Sequence, residues 1–292
     1  MKFRVWHRTT YSYDEPVTDS LGVAHLTPRS LDGQHVSSAE VTIEPMPADL
    51  THEADYYGNS ATYFQVLLPH TELRVTATAD VEVLEPSYDP AALAAPWESA
   101  APARRGDLTD AWQAVDFALP SSQVAHTDRA RAYASRSLTP GRPIGEAVTD
   151  LMHRIHADFT YEVGATTVTS TVDEVLDKRA GVCQDFAHLT LACLRTHGLA
   201  ARYVSGYLAT EPPPGHDRIV GADASHAWVA VWVPGSQWWL AVDPTNDQWV
   251  NDRYVTVAWG RDYGDVPPLK GVIFSDATTS TLTVEVDVAP LS

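Results

Sequence analysis

The sequence predicts an α+β fold in two parts: an N-terminal antiparallel β-sandwich-like domain, then helices packed on an antiparallel sheet. Three observations carry the prediction. Period-2 alternation dominates residues 1–85, a Pro- and Ala-rich stretch follows, and helical spacing then gives way to a second set of strands. The clearest strand is Leu73 to Val83, whose odd positions are mostly apolar and even positions mostly polar, as for a sheet with one wet face. Tyr63 to Leu67 precedes it, and Pro69-His70-Thr71-Glu72 reads as the turn of a hairpin between the two. Phe3–Tyr13 and Ala39–Ile43 are further strand candidates, and Tyr57-Gly58-Asn59-Ser60 is a turn.

Residues 86–105 contain Pro86, Pro90, Pro96 and Pro102 without strong periodicity and read as a linker to a second domain, 106–292. Beyond it Ile144, Val148, Leu151, Met152 and Ile155 follow helical spacing, with Pro143 at the start. Thr171-Val172-Asp173-Glu174 has capping-box spacing and opens a short helix that stops near Ala180-Gly181. From Cys183 another helix runs toward Gly198, with Phe186, Leu189, Thr190, Cys193 and Leu194 on a core-facing stripe. Strands are expected over 201–208, 225–233 and 238–242, the last two joined by Pro234-Gly235-Ser236-Gln237.

Composition bounds the function. The 292 residues are 44% hydrophobic and 20% charged, as in a folded globular chain. The net charge of −18 argues against partnership with nucleic acid or an anionic membrane. No apolar run is long enough to cross a membrane. Charges interrupt the first eight residues, so they do not read as an export signal. Cys183 and Cys193 are the two cysteines. On one helix they stand roughly 15 Å apart, beyond disulfide reach. Together these features point to a reducing cytosol.

Three residues suggest chemistry. Cys183 occupies the first turn of a helix, where the dipole and unpaired N–H groups favour thiolate and offer an oxyanion donor. Cys193, on the apolar stripe, belongs to the core. His226 lies in Ser225-His226-Ala227-Trp228-Val229, and Asp243 ends the next strand. If Pro234 pairs with Gln237, Trp228 opposes Asp243, which then shares a sheet face with His226 one diagonal step away. A one-residue bulge would turn Asp243 to the other face. Each of the three also has a structural reading: a small buried thiol, a satisfied strand histidine and a turn-forming aspartate.

Gly-Val-Cys-Gln-Asp-Phe-Ala-His-Leu (181–189), Ser-His-Ala-Trp-Val (225–229) and Asp-Pro-Thr-Asn (243–246) resemble, in order, the signature blocks of the transglutaminase-like superfamily in its bacterial cysteine-protease-like branch. The resemblance covers about 140–265. Residues 1–85, with Tyr11-Ser12-Tyr13, Leu26-Thr27-Pro28-Arg29 and Asp55-Tyr56-Tyr57-Gly58-Asn59, also resemble the β-rich N-terminal region of that branch. It implies a papain-like transglutaminase core in which Cys183 is the nucleophile, His226 the general base and acid, and Asp243 its orienting partner. It further implies acyl transfer on a peptide or protein substrate without a cofactor. Tyr161 is the candidate for a second oxyanion donor beside the Cys183 N–H.

Three activities remain open: a peptidase or amidase, which is preferred, a glutamine-to-lysine transglutaminase, and a silent binding module that uses an aromatic groove. His153 and His156 have helical spacing but no third ligand nearby. His188 points about 140° away from Cys183 around the helix, and Asp185 supports the helix's first turn. Of Trp228, Trp232, Trp238, Trp239, Trp249 and Trp259, most are expected in the core and one or two in a substrate wall.

Overall fold

The computed structural model describes residues 1–102, 111–210, 225–236 and 239–291. In chain order the first part holds β1 (Lys2–Ala24), β2 (Gln34–Glu44), β3 (Asp49–Ala54), β4 (Ser60–Val66) and β5 (His70–Val83). Next come α1 (Pro90–Leu93), α2 (Ala111–Asp116), α3 (Asp128–Ala134), α4 (Ile144–Asp158), β6 (Thr160–Tyr161), α5 (Val172–Lys178), β7 (Ala180–Gly181) and α6 (Cys183–Arg195). The chain ends with β8 (Ala201–Leu208), β9 (Ser225–Val231), β10 (Leu240–Asp243), β11 (Gln248–Trp249), β12 (Tyr254–Gly260), β13 (Leu269–Ser275) and β14 (Ser280–Pro290). The fold is α+β, as expected.

The first sheet is antiparallel and curls about β1. Lys2–Ser12 of β1 pairs with β5 and the Ser20–Ala24 end with β4, across a register shift between Ser12 and Val17 that bends the strand. The alternation over Leu73–Val83 buries Leu73, Val75, Ala77, Ala79, Val81 and Val83. The expected hairpin between Tyr63–Leu67 and Leu73–Val83 does not form: β4 and β5 lie end to end along β1. A tight hairpin needs positive φ in its turn, and no residue from Leu67 to Glu72 has it. Pro69 interrupts the ladder without reversing the chain.

Two boundaries shift. β13 and β14 pair with β1, so residues 269–290, expected in the second domain, complete the first sheet. Within the expected linker, Trp97 and Ala100 are buried and the Trp97 indole donates to the Thr139 carbonyl at 2.9 Å. One apolar core runs through both parts, from Phe3, Val5, Val286 and Val288 to Leu151, Leu189 and Val229. Residues 103–105 lie outside the described set.

In the second part a five-stranded sheet, ordered β11-β10-β9-β8-β12, packs on α6. α4 begins after Pro143, and the Thr171–Glu174 capping box opens α5 with both reciprocal bonds in place. α6 is not a one-sided helix. It lies between the sheet and α3, α4 and α5, so Asp185 to Arg195 are all buried. Arg195 is accommodated because its guanidinium donates to the carbonyls of Ala201 (2.7 Å) and Arg261 (2.6 Å). No helix among the described residues is long and apolar enough to cross a membrane.

Candidate active site

The start of α6 is built by Asp185. Its carboxylate reaches back to accept from the Val182 N–H at 2.8 Å and from the Thr166 hydroxyl at 2.6 Å. Gly181 makes room for it, because a Cβ there would lie 2.7 Å from the Asp185 oxygen. The Gly-Val-Cys-Gln-Asp block thus caps the helix and fixes Cys183 at its first position, where the thiol is partly exposed.

β9 and β10 pair in the register set by the expected turn: Leu240 opposes Val231, Ala241 opposes Ala230 and Val242 opposes Val229. Gln237 and Trp238 lie outside the described residues. No bulge intervenes, so Asp243 falls on the His226 face and its Oδ2 accepts from His226 Nε2 at 2.7 Å. The Asn246 side-chain amide lies 3.3 Å from the same nitrogen, and the Cys183 sulfur is close enough to the ring to raise its pKa. With Nε2 engaged, Nδ1 is the nitrogen left to meet it.

Asp243 is wholly buried and accepts five hydrogen bonds. Oδ2 takes His226 Nε2, the Tyr254 hydroxyl and Asn246 Nδ2, each at 2.7 Å. Oδ1 takes the backbone N–H groups of Thr245 (2.9 Å) and Asn246 (3.2 Å). Burial favours the protonated acid, but these donors and the imidazole hold Asp243 below the usual carboxylate range. Burial likewise favours a neutral His226, but Asp243 and Cys183 outweigh it and raise the ring to about 10.

The folded His226 value lies above 6.5, so its pairing supports the fold fully below that pH. The contribution is lost as the pH rises through about 10. For Asp243, whose value is depressed, support is present above its unfolded pKa and lost as pH falls through the folded one. Cys183→Ala is expected to move the His226 NMR titration midpoint to lower pH while leaving the ring bound to Asp243. An unchanged midpoint would separate the sulfur from the ring.

Cys183 and His226 open into a cavity of about 280 Å³. Its opposite wall comes from the first sheet: His7, Thr9 and Tyr11 of β1, with Leu282 and Val284 of β14. His7 is fixed between the Tyr207 hydroxyl and the Thr9 hydroxyl, both at 2.9 Å, and burial lowers its pKa to about 4. None of the described tryptophans lines this cavity. Trp239 and Trp259 instead stack on Arg202, in a separate cavity.

The remaining candidates find separate places. Tyr161 is half exposed on β6, paired with Gly181 two residues before Cys183, and burial followed by the nearby sulfur raises its pKa. It is absent from the lining of the Cys183 cavity. His188 is buried, accepts from the Tyr263 N–H at 3.1 Å and is held neutral by burial at about 4. His153 binds the Asp247 carboxylate and His156 donates to the Thr245 carbonyl at 3.0 Å, so both clamp the turn after Asp243 to α4. Among the described residues no group of three His, Cys, Asp or Glu could hold a metal. The wall strands are far from the signature blocks in sequence, and neither they nor Tyr254, eight residues beyond the last block, carry a local signal. Asn246 had one: an amide three residues after the aspartate, within Asp-Pro-Thr-Asn.

Residues 3–82 match the bacterial transglutaminase-like N-terminal region, and residues 131–244 match the transglutaminase-like superfamily. An uncharacterized protein of Mycobacterium tuberculosis (strain ATCC 25618 / H37Rv) is 48% identical, covering 99% of this chain and 93% of its own length. One from Mycobacterium leprae (strain TN) is 37% identical, covering 100% and 99%. A solved structure described as a candidate cysteine protease from Cytophaga hutchinsonii shares the fold at 19% identity and a TM-score of 0.74, over 100% of this chain and 92% of that one. The ordered Cys, His and Asp blocks, the matched regions and this full-length likeness lead to one conclusion: the chain belongs to the transglutaminase-like superfamily, with the β-rich bacterial transglutaminase-like N-terminal region at its front.

Proposed function

We propose that the chain is a cysteine peptidase or amidase that cleaves amide bonds through a thioester on Cys183. The observation that carries this reading is the His226–Asp243 bond of 2.7 Å, on a ring that shares one open cavity with a helix-start cysteine whose sulfur raises the ring's pKa. Cys183 attacks the carbonyl carbon as thiolate, forming a C–S bond. His226 gives its Nδ1 proton to the leaving nitrogen as the C–N bond breaks. Water, deprotonated by His226, then attacks the thioester, releasing the acid and restoring the thiol. Asp243 holds the ring's orientation and stabilises its charged form throughout. The Cys183 N–H faces the developing oxyanion, while Tyr161, the other candidate donor, lies outside the lining of the cavity.

The test has two arms. Mass-spectrometric mapping of iodoacetamide labelling at pH 6 is expected to find Cys183 modified well ahead of Cys193. Cys193 is fully buried and its pKa is raised by burial to about 12. Equal labelling removes the enzymatic reading in favour of a binding module. Peptide-library cleavage by wild type, absent in Cys183→Ala, then reads the reaction. A glutamine peptide that incorporates an added amine in preference to water would make the chain a transglutaminase.

A further inference from the structure

The face of the β8–β12 sheet turned away from α6 carries a second cavity, also of about 280 Å³. It shares no lining residue with the cavity beside Cys183. Strand alternation builds its floor. Arg202 and Val204 of β8, Trp228 and Ala230 of β9 and Ala241 of β10 all project to this side, and the loop at Leu31–Gln34 and the stretch Val83–Tyr88 close over them.

Arg202 sets the chemistry of this cavity. Its guanidinium stacks 3.6 Å over Trp259 and 4.3 Å over Trp239. Arg29 also stacks on Trp259, but it donates to the Tyr57 carbonyl and the Asn59 side chain. Among the described residues Arg202 has no hydrogen-bond or ion-pair partner, and its Nε is closed off from solvent without an acceptor. Burial, then repulsion from Arg29, lowers its pKa to about 9, so it remains a cation at neutral pH. Arg202 is half-buried, and a partly desolvated cation without a counter-charge among the described residues is costly, in a chain with 38 acidic residues from which to supply one. Asp32, the carboxylate among the described lining residues, stands exposed at the rim.

With the indoles on the faces of the guanidinium, a ligand approaches it in its plane, where a carboxylate can meet an N–H fork with two parallel bonds. The surrounding wall is mainly apolar, with Val83, Leu84, Pro86 and Val250, and is interrupted by Gln34, Asn251 and Thr256. The volume lies at the lower limit of small-ligand sites and suits a body of about one ring. We propose that this cavity binds a small apolar monocarboxylate, its carboxylate on the Arg202 fork and its body against Trp239, Trp259 and the aliphatic wall.

The test is calorimetric titration of the full chain with benzoate, its neutral isostere benzamide, and inorganic phosphate. Saturable benzoate binding is expected, about tenfold or more tighter than that of benzamide or phosphate, and reduced about tenfold or more in Arg202→Met. It should be unchanged in Cys183→Ala, so the result is independent of any activity at the thiol. The proposal is overturned if benzoate does not saturate below about 10 mM, or if benzamide or phosphate binds as well as benzoate. It is also overturned if Cys183→Ala, and not Arg202→Met, removes binding. Should Arg202→Met fail to fold, the comparison of benzoate with benzamide and phosphate on the unaltered chain decides.

Discussion

Asp243→Asn is expected to lower kcat by roughly three to four orders of magnitude. The carboxylate accepts all five of its hydrogen bonds, and three of them converge on Oδ2. An amide has only one acceptor atom. If its oxygen stays toward the two backbone N–H groups, its NH2 confronts the donors of His226, Tyr254 and Asn246. If it turns over, the backbone donors lose their partner. Either way His226 loses the anion that holds its Nε2 protonated and its Nδ1 toward the sulfur. Its pKa should fall from about 10 toward the ordinary imidazole value. Leaving buried donors unpaired also costs about 1–3 kcal/mol each, so a lower melting temperature accompanies the loss of turnover. Paired measurement of kcat and the His226 titration checks both effects. Turnover within tenfold of wild type, or an unmoved midpoint, would show that Asp243 does not orient the ring.

Gly206→Ala is expected to be the most damaging substitution of a single hydrogen by methyl in the five-stranded sheet. Gly206 opposes His226 in the β8–β9 ladder. A Cβ there would lie 2.1 Å from the Val255 carbonyl oxygen and 2.5 Å from the Trp228 ring. Neither can yield: one is backbone of the adjacent strand, and the other is a large, fully buried side chain. Relief requires β12 or Trp228 to move, and Tyr254 on β12 holds Asp243. A destabilisation of roughly 3 kcal/mol or more is expected, about 6 °C or more in Tm, with turnover falling as His226 is displaced. A melting temperature within about 2 °C of wild type would mean that β8, β9 and β12 do not meet as described.

Much of the site was legible along the chain. The spacing at Thr171–Glu174 specified a cap, Pro143 a helix start, and the Gly-Val-Cys-Gln-Asp block the helix that presents Cys183. The Pro234–Gln237 turn predicted the register that carries Asp243 to the His226 face, and the ladder follows it. Other expectations failed where partners are distant. Tyr63–Leu67 and Leu73–Val83 alternate just as a hairpin would, but each is satisfied by β1. α6 shows a stripe because a stripe is what local periodicity can display, whereas its central place buries every side from Asp185 to Arg195.

The sequence by itself determined the local elements, the order of the cysteine, histidine and aspartate blocks, and the face on which the histidine and aspartate meet. These follow from caps, turns and alternation acting over a few residues. The tertiary structure alone decided that β13 and β14 return to β1, that the first sheet walls the thiol cavity, that Tyr254 completes the hold on Asp243, and that Arg202 stands among indoles without a counter-charge from the described residues. Each depends on which distant strand edges and side chains pack together, a choice made by the burial of the whole chain rather than by any short stretch of it.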